Sequence, residues 1–307
     1  MRTIDIQVNG AFGIDFNDDN LDLDSFSHAC QKLAASGVQQ FFPTLITAPH
    51  DALLRRVSKI AGWVTADSQL QACVGGLHIE GPFISPKPGY RGTHPLDAIR
   101  PVCLEFLKEM VEAGRGLVRQ VTLAPEEDPQ FLGTRWLADQ GIVPFAGHTD
   151  ASLEQLRGAI DQGLQGFTHL GNGCALEVSR HDNILHRVLA CRSELVVSFI
   201  ADGIHAPFWL LKTWLELFGP DRVIVTSDAM SAAGMPPGEY LIGGQPILVD
   251  ESRRTRHRDH QYLAGSASLL QDMENLGPQW IRDWSEVKER LFCENARKLF
   301  RLPGTPQ

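Results

Sequence analysis

Three residues have the chemistry and the setting to hold a metal ion: Glu80 in GLHIEGP, His148 in AGHTDAS and His169 in FTHLGNG. Each ends a short apolar run, where a backbone turns out of a sheet. One carboxylate and two imidazoles suit zinc and leave a coordination position for a water, which the metal acidifies into a hydrolytic nucleophile. Singly, each is as readily an ordinary hydrogen-bonded polar group at a strand end; three at equivalent positions favour the metal. Asp228 in VIVTSDAM ends another such run. A carboxylate there can take a proton from water and pass it to a leaving amine, or it can simply cap the Ala-rich segment that follows. His94, at the far end of a Gly- and Pro-rich loop that begins at Gly81, and His205 in ADGIHAP are placed to hold or polarise a substrate. His78 shares a strand face with Glu80 but lies deeper, as a core histidine or a support for the ligands. His28, His50, His186, His257 and His260 fall on helices or polar turns and read as surface residues.

The elements that must position these groups follow a regular beat. Strands are expected over 3–8, 39–45, 73–80, 118–123, 142–146, 166–169, 194–201 and 222–226, and helices over 25–36, 51–65, 101–114, 129–140, 152–162 and 208–218. Eight strands alternating with helices imply a parallel sheet covered on both faces, closed as a (β/α)8 barrel or open and doubly wound. No GxGxxG follows the first strand, and polar residues end many strands (Asn9, Glu80, His148, His169, Asp202, Asp228). In a barrel such ends ring one mouth. The beat breaks over 235–263, where 240–242 and 246–249 flank Gly243-Gly244 as a hairpin that reads as a lid or an edge decoration. The charged run ESRRTRHRDH after it reads as a solvated turn. Helices over 266–276 and 285–300 close the sequence. The expectation is one catalytic barrel domain over 1–307 with a hairpin insertion near 235–263.

Composition narrows the class. With 43% hydrophobic and 21% charged residues the 307-residue chain reads as a soluble globular protein, and no apolar run approaches the roughly 20 residues of a membrane helix. MRTIDIQVNG enters a strand pattern directly, without an apolar signal core, so a cytoplasmic location is expected. A net charge of −9 argues against nucleic-acid partners, although local cations such as Lys87 and Arg91 can still hold a small anion. Six scattered cysteines without a CxxC pair suit reduced structural thiols.

Nine motifs then carry a resemblance: IDIQVNG, GLHIEGPFI with GTHP, VTLAPE, GHTDAS, THLGN, ADGIH, TSDAM with SAAGMPPGEYLIGG, LAGSA and ENARKL. In order and spacing the chain resembles the N-acetylglucosamine-6-phosphate deacetylases of the amidohydrolase superfamily. The resemblance implies a TIM barrel of the metal-dependent amidohydrolase type that converts N-acetylglucosamine 6-phosphate to glucosamine 6-phosphate and acetate. It makes Glu80, His148 and His169 the metal ligands, Asp228 the general base and acid, and His94 the group that polarises the acetyl carbonyl. Many superfamily members carry His-x-His on the first strand for a second ion, whereas Gln7 and Asn9 stand here. Amides are poor zinc ligands, so one divalent ion is implied, zinc or else iron or another divalent metal, with Gln7 and Asn9 bonding water or neighbouring side chains. Asn172, Gly173, Arg180 and His205 fall on positions that contact the sugar phosphate. In relatives such an arginine is supplied across a dimer interface, which implies a homodimer. Two departures stand out. The small β-sandwich that relatives build from both termini is expected to be missing, and Gly171 and Gly173-Cys174 replace bulkier family residues, widening or reshaping the pocket. The competing readings are an amidohydrolase for another N-acyl or cyclic amide and a non-catalytic sugar-phosphate-binding barrel.

Overall fold

A computed structural model describes residues 2–257 and 262–303. Its main sheet has eight parallel strands in sequence order: β1 (Thr3–Val8), β2 (Val38–Ile46), β3 (Leu77–Glu80), β4 (Val118–Leu123), β5 (Val143–Ala146), β6 (Gly166–Phe167), β7 (Val196–Ile200) and β8 (Val223–Thr226). Side chains and turns close the seam between β8 and β1. The Thr226 hydroxyl and the Ser227 N–H donate to Asp5 Oδ1 at 2.7 and 3.0 Å. Beyond them the Asn9 N–H donates to the Ala229 carbonyl at 2.7 Å. The result is a (β/α)8 barrel.

Helices α1 (Leu23–Ala35), α2 (His50–Ala66), α3 (Ser68–Cys73), α4 (Leu104–Ala113), α5 (Leu132–Asp139), α6 (Leu153–Asp161), α7 (Ile184–Ala190), α8 (Phe208–Phe218) and α9 (Leu270–Leu276) follow or flank the strands. Each long one buries a single face; in α1 Phe26, Ala29, Cys30 and Leu33 recur at helical spacing. Inside the barrel the layers differ. Toward the N-terminal strand ends, Ile4, Phe42, Phe145 and Ile224 pack with Ala296, Phe300 and Leu302, so the C-terminal helical segment plugs the base. Above the plug comes a polar layer in which His78 Nε2 meets Thr122 Oγ1 at 2.8 Å and Thr122 Oγ1 meets Thr168 Oγ1 at 2.7 Å.

The differences from expectation are local. The strand expected over 73–80 begins only at Leu77, because the preceding residues form α3, capped where the Asp67 carboxylate accepts the N–H groups of Gln69 and Leu70. The helix expected over 129–140 starts at Leu132, since Gln130 and Phe131 both have φ of 56°. The helix expected over 266–276 starts at Leu270, because Ser266 instead bridges the mouth, its N–H donating to Asp228 O at 2.7 Å and its carbonyl accepting from Met230. The helix expected over 285–300 passes through a π-helical turn at Arg290–Glu294. Helix α7, unforeseen, is capped by Asn183. The hairpin strands β9 (Gly238–Ile242) and β10 (Gln245–Val249) gain a third, β11 (Thr255–His257). This sheet packs Ile242, Ile247 and Val249 on Ile46, Met230 and Ala264, and Gln245 Nε2 donates to the Thr93 carbonyl at 2.7 Å, so it leans over the barrel mouth. The charged run expected as a solvated turn is one only at its start: Arg253 donates to the Met235 carbonyl at 2.8 Å and Thr255–His257 form β11, while Arg258, Asp259 and His260 lie outside the described residues.

Candidate active site

Glu80 is the last residue of β3, while His148, His169 and Asp228 each lie two residues past a strand. These three have left-handed backbones, with φ of 51°, 34° and 49°. Such geometry is uncommon outside glycine and concentrates at functional sites. It turns the chain sharply at each strand end.

Glu80 Oε1 lies 3.0 Å from His169 Nε2 and 3.4 Å from His148 Nε2, and the three donor atoms all fall within 4.8 Å of one another. All three residues are buried. His148 Nδ1 is 2.8 Å from the Tyr90 carbonyl, which can only accept, so Nδ1 carries a proton and Nε2 is the nitrogen turned toward Glu80. Gln7 Nε2 donates to the same Glu80 oxygen at 3.1 Å. Burial would raise the Glu80 carboxyl, but bonds and charges from His148 and His169 hold it well below the usual carboxylate range. A convergent, ionised carboxylate beside two imidazole nitrogens fits a single divalent ion.

Asp228 faces this cluster, its Oδ1 accepting from Asn9 Nδ2 at 2.7 Å. Burial, and then the negative charge of Glu80, pushes its carboxyl up to about 6, close to where a proton-transfer group is most useful. His94 Nδ1 lies 2.8 Å from Thr47 Oγ1, and burial pushes its ring down to about 3, so it is neutral. His205 Nδ1 pairs with Asp202 Oδ2 at 2.8 Å. That carboxylate also accepts the Ile204 and His205 N–H groups and the Ser266 hydroxyl. Although buried, it is held at about 2 by His205 and these bonds.

One pocket gathers Glu80, His94, His148, His169, Asn172, Gly173, His205 and Asp228, with Asn9 at its edge. Gln7 reaches it only through Glu80, and Arg180 is exposed outside it. His78 lies in the polar layer below, bonded to Thr122, Thr44 and Gln120, and burial lowers it to about 4. His28 and His186 are exposed, and His50 is partly so, bonded to Asp51 and Glu109. The glycines do not simply widen the pocket. A Cβ on Gly171 would stand 2.5 Å from the Trp214 ring, which fills that space, and one on Gly173 would stand 2.9 Å from His148 Nδ1. Sequence reasoning missed Thr47, the Tyr90 carbonyl and Ile242 of the hairpin. It marked Asp202 without giving it a task, although the three-residue step to His205 in ADGIH carries the signal.

No family model matches the chain. An N-acetylglucosamine-6-phosphate deacetylase from Bacillus subtilis (strain 168) is 34% identical over 303 residues, covering 96% of this chain and 73% of the relative. An N-acetylgalactosamine-6-phosphate deacetylase from Escherichia coli O157:H7 is 29% identical, covering 80% of this chain and 63% of the relative. Among solved structures, an aspartate mutant of the N-acetyl-D-glucosamine-6-phosphate deacetylase from Mycobacterium smegmatis, in complex with N-acetyl-D-glucosamine-6-phosphate, superposes with a TM-score of 0.90. It is 28% identical, and the match covers 99% of this chain and 78% of that one.

Proposed function

The chain belongs to the N-acetylglucosamine-6-phosphate deacetylase family, and from that premise we propose that it hydrolyses the N-acetyl amide of N-acetylglucosamine 6-phosphate, releasing acetate and glucosamine 6-phosphate. The observation that carries this reading is the buried Glu80–His148–His169 cluster with Asp228 beside it in one pocket. Glu80, His148 and His169 would hold one divalent ion, and zinc suits a carboxylate with two imidazoles. Such an ion supplies Lewis acidity, lowering the pKa of a water and polarising a carbonyl.

The chain's own groups do the rest. Asp228, fixed by Asn9, takes a proton from the attacking water and returns it to the nitrogen as the C–N bond breaks. Neutral His94, anchored at Nδ1 by Thr47, acts through its Nε2–H tautomer, donating toward the acetyl oxygen; this requires the Thr47 hydroxyl to donate to Nδ1 rather than to the Glu80 carbonyl 3.4 Å away. Asn172 Nδ2 is buried without a hydrogen-bond partner among the described residues, a donor available to substrate. We assign Asn172, the Gly173 backbone and the Asp202-anchored His205 to the sugar phosphate. Arg180 serves the same phosphate from a second copy of the chain, consistent with its exposure outside its own pocket.

An acetate-release panel on metal-loaded protein tests the reading, using N-acetylglucosamine 6-phosphate, its galactosamine epimer, the unphosphorylated sugars and N-acetyl amino acids. Fastest turnover is expected on a phosphorylated N-acetyl sugar. Preference for a non-sugar amide would move the protein to another amidohydrolase activity, and tight binding without acetate would make it a binding barrel. The Escherichia coli relative, named for the galactosamine epimer, is why that epimer is included.

A further inference from the structure

We propose that Asp150 is a positioning residue for the metal site, clamping the loop between Gly81 and Pro95 so that the Tyr90 carbonyl holds His148; this rests on the metal reading of Glu80, His148 and His169. Asp150 is itself fixed, its N–H donating to Glu126 Oε1 at 2.6 Å, while the neighbouring Thr149 hydroxyl donates to Glu126 Oε2. Its carboxylate then joins two segments, the loop and α7. Lys87 Nζ from the loop lies 2.8 Å from Oδ2 and Arg187 Nη1 from α7 lies 3.1 Å from Oδ1, while burial and then the Asp150 charge push the Tyr90 phenol up to about 12. Arg187 is held in turn, pairing with Asp182 at 2.6 Å and donating to the Ala151 carbonyl at 3.0 Å.

Tyr90 stands three residues along the same loop from the Asp150-bound Lys87, and its backbone carbonyl meets His148 Nδ1 at 2.8 Å. The loop is also pressed close. Ser85 N–H donates to the His148 carbonyl at 2.9 Å, and a Cβ on Gly89 would stand 2.6 Å from Ala175 Cα. Partly exposed ion pairs contribute little to global stability. The effect of this carboxylate is accordingly expected in the orientation of the His148 ring, and through it in metal affinity, because the groups that orient a ligand set its basicity and direction.

The test measures Zn2+ affinity by competition with a chromophoric chelator and records the visible spectrum of the Co2+-loaded protein. Asp150→Ala should lose about 10-fold in Zn2+ affinity and shift the Co2+ bands while keeping the wild-type far-UV circular dichroism. Lys87→Met should move both readouts less, in the same direction. Wild-type affinity and spectrum in Asp150→Ala would overturn the proposal. If that variant does not fold, Lys87→Met and Arg187→Met decide it by the same two readouts, and unchanged values in both sink it. A wild-type protein that binds no metal, or a Glu80→Ala variant that binds it normally, overturns the metal reading itself and the clamp with it. A wild type that binds one ion lost in Glu80→Ala and unchanged in Asp150→Ala removes only the clamp.

Discussion

In the proposed mechanism Asp228 and His94 divide the proton chemistry because their anchors differ. Asp228 is held by an amide donor beside an anionic Glu80, so its proton is labile near neutral pH, while His94 is held by a hydroxyl in a desolvated site and stays uncharged. Asp228→Asn keeps an oxygen for Asn9 yet removes the base. Turnover is expected to fall by about 10²- to 10⁴-fold with metal content unchanged, measured by acetate release and elemental analysis of one sample; near-normal turnover would remove Asp228 from the base role. Asp202→Asn should act differently, freeing His205 and raising KM more than it lowers kcat, a split that steady-state kinetics read directly. At this scale the sequence is informative where a polar residue interrupts an apolar run, as Glu80, His148, His169 and Asp228 do. Thr47 has no such contrast with its surroundings, and a backbone carbonyl such as that of Tyr90 leaves no mark in the sequence.

Strand ends and loops set how exactly placed those side chains are. A Cβ on Gly81 would stand 2.1 Å from Thr47 Oγ1, at a φ of 78°, so Gly81→Ala should displace the anchor of His94 and reduce turnover at least 10-fold. Kinetics alongside metal content check this, and an active Gly81→Ala protein would argue that Thr47 is dispensable. The hairpin has its own signature. Asp15 is buried beside the Gly243-Gly244 turn, and burial raises its carboxyl to about 6 against the partial opposition of nearby backbone N–H groups. Because the folded pKa exceeds the unfolded one, the folded state binds this proton more tightly. Its favourable contribution is complete below about 4 and is lost as pH rises through about 6. Relative to Asp15→Asn, the wild type should lose about 3 kcal/mol of unfolding free energy between pH 4 and pH 7 in urea titrations; parallel curves would show that Asp15 is not strained by burial. Elements of steady period were legible: 3–8, 118–123 and 208–218 are observed as expected. Helices α3 and α7, of 6 and 7 residues, span under two turns, too short for an apolar stripe to show, and only their Asp67 and Asn183 caps announce them.

Across the whole molecule, the base of the barrel and its mouth are built from opposite materials. Phe300 sits 4.9 Å from Phe42 and 6.2 Å from Phe145, ring centre to ring centre, in an apolar plug. Phe300→Ala should cost about 3–5 kcal/mol while leaving the metal stoichiometry of the folded fraction intact, as thermal unfolding and metal analysis would show. Eight alternating strands made the barrel legible from sequence, but the plug was not, because 285–300 reads only as a helix and nothing local says which end of the barrel it enters. The central claim is that Glu80, His148 and His169 hold one ion on which deacetylation depends. The most direct measurement titrates metal-depleted protein with Zn2+ and follows acetate release from N-acetylglucosamine 6-phosphate at each step. Activity should rise linearly and saturate at one equivalent in the wild type and stay at background in His169→Ala; full activity in metal-depleted protein, or saturation unchanged in His169→Ala, would contradict the account.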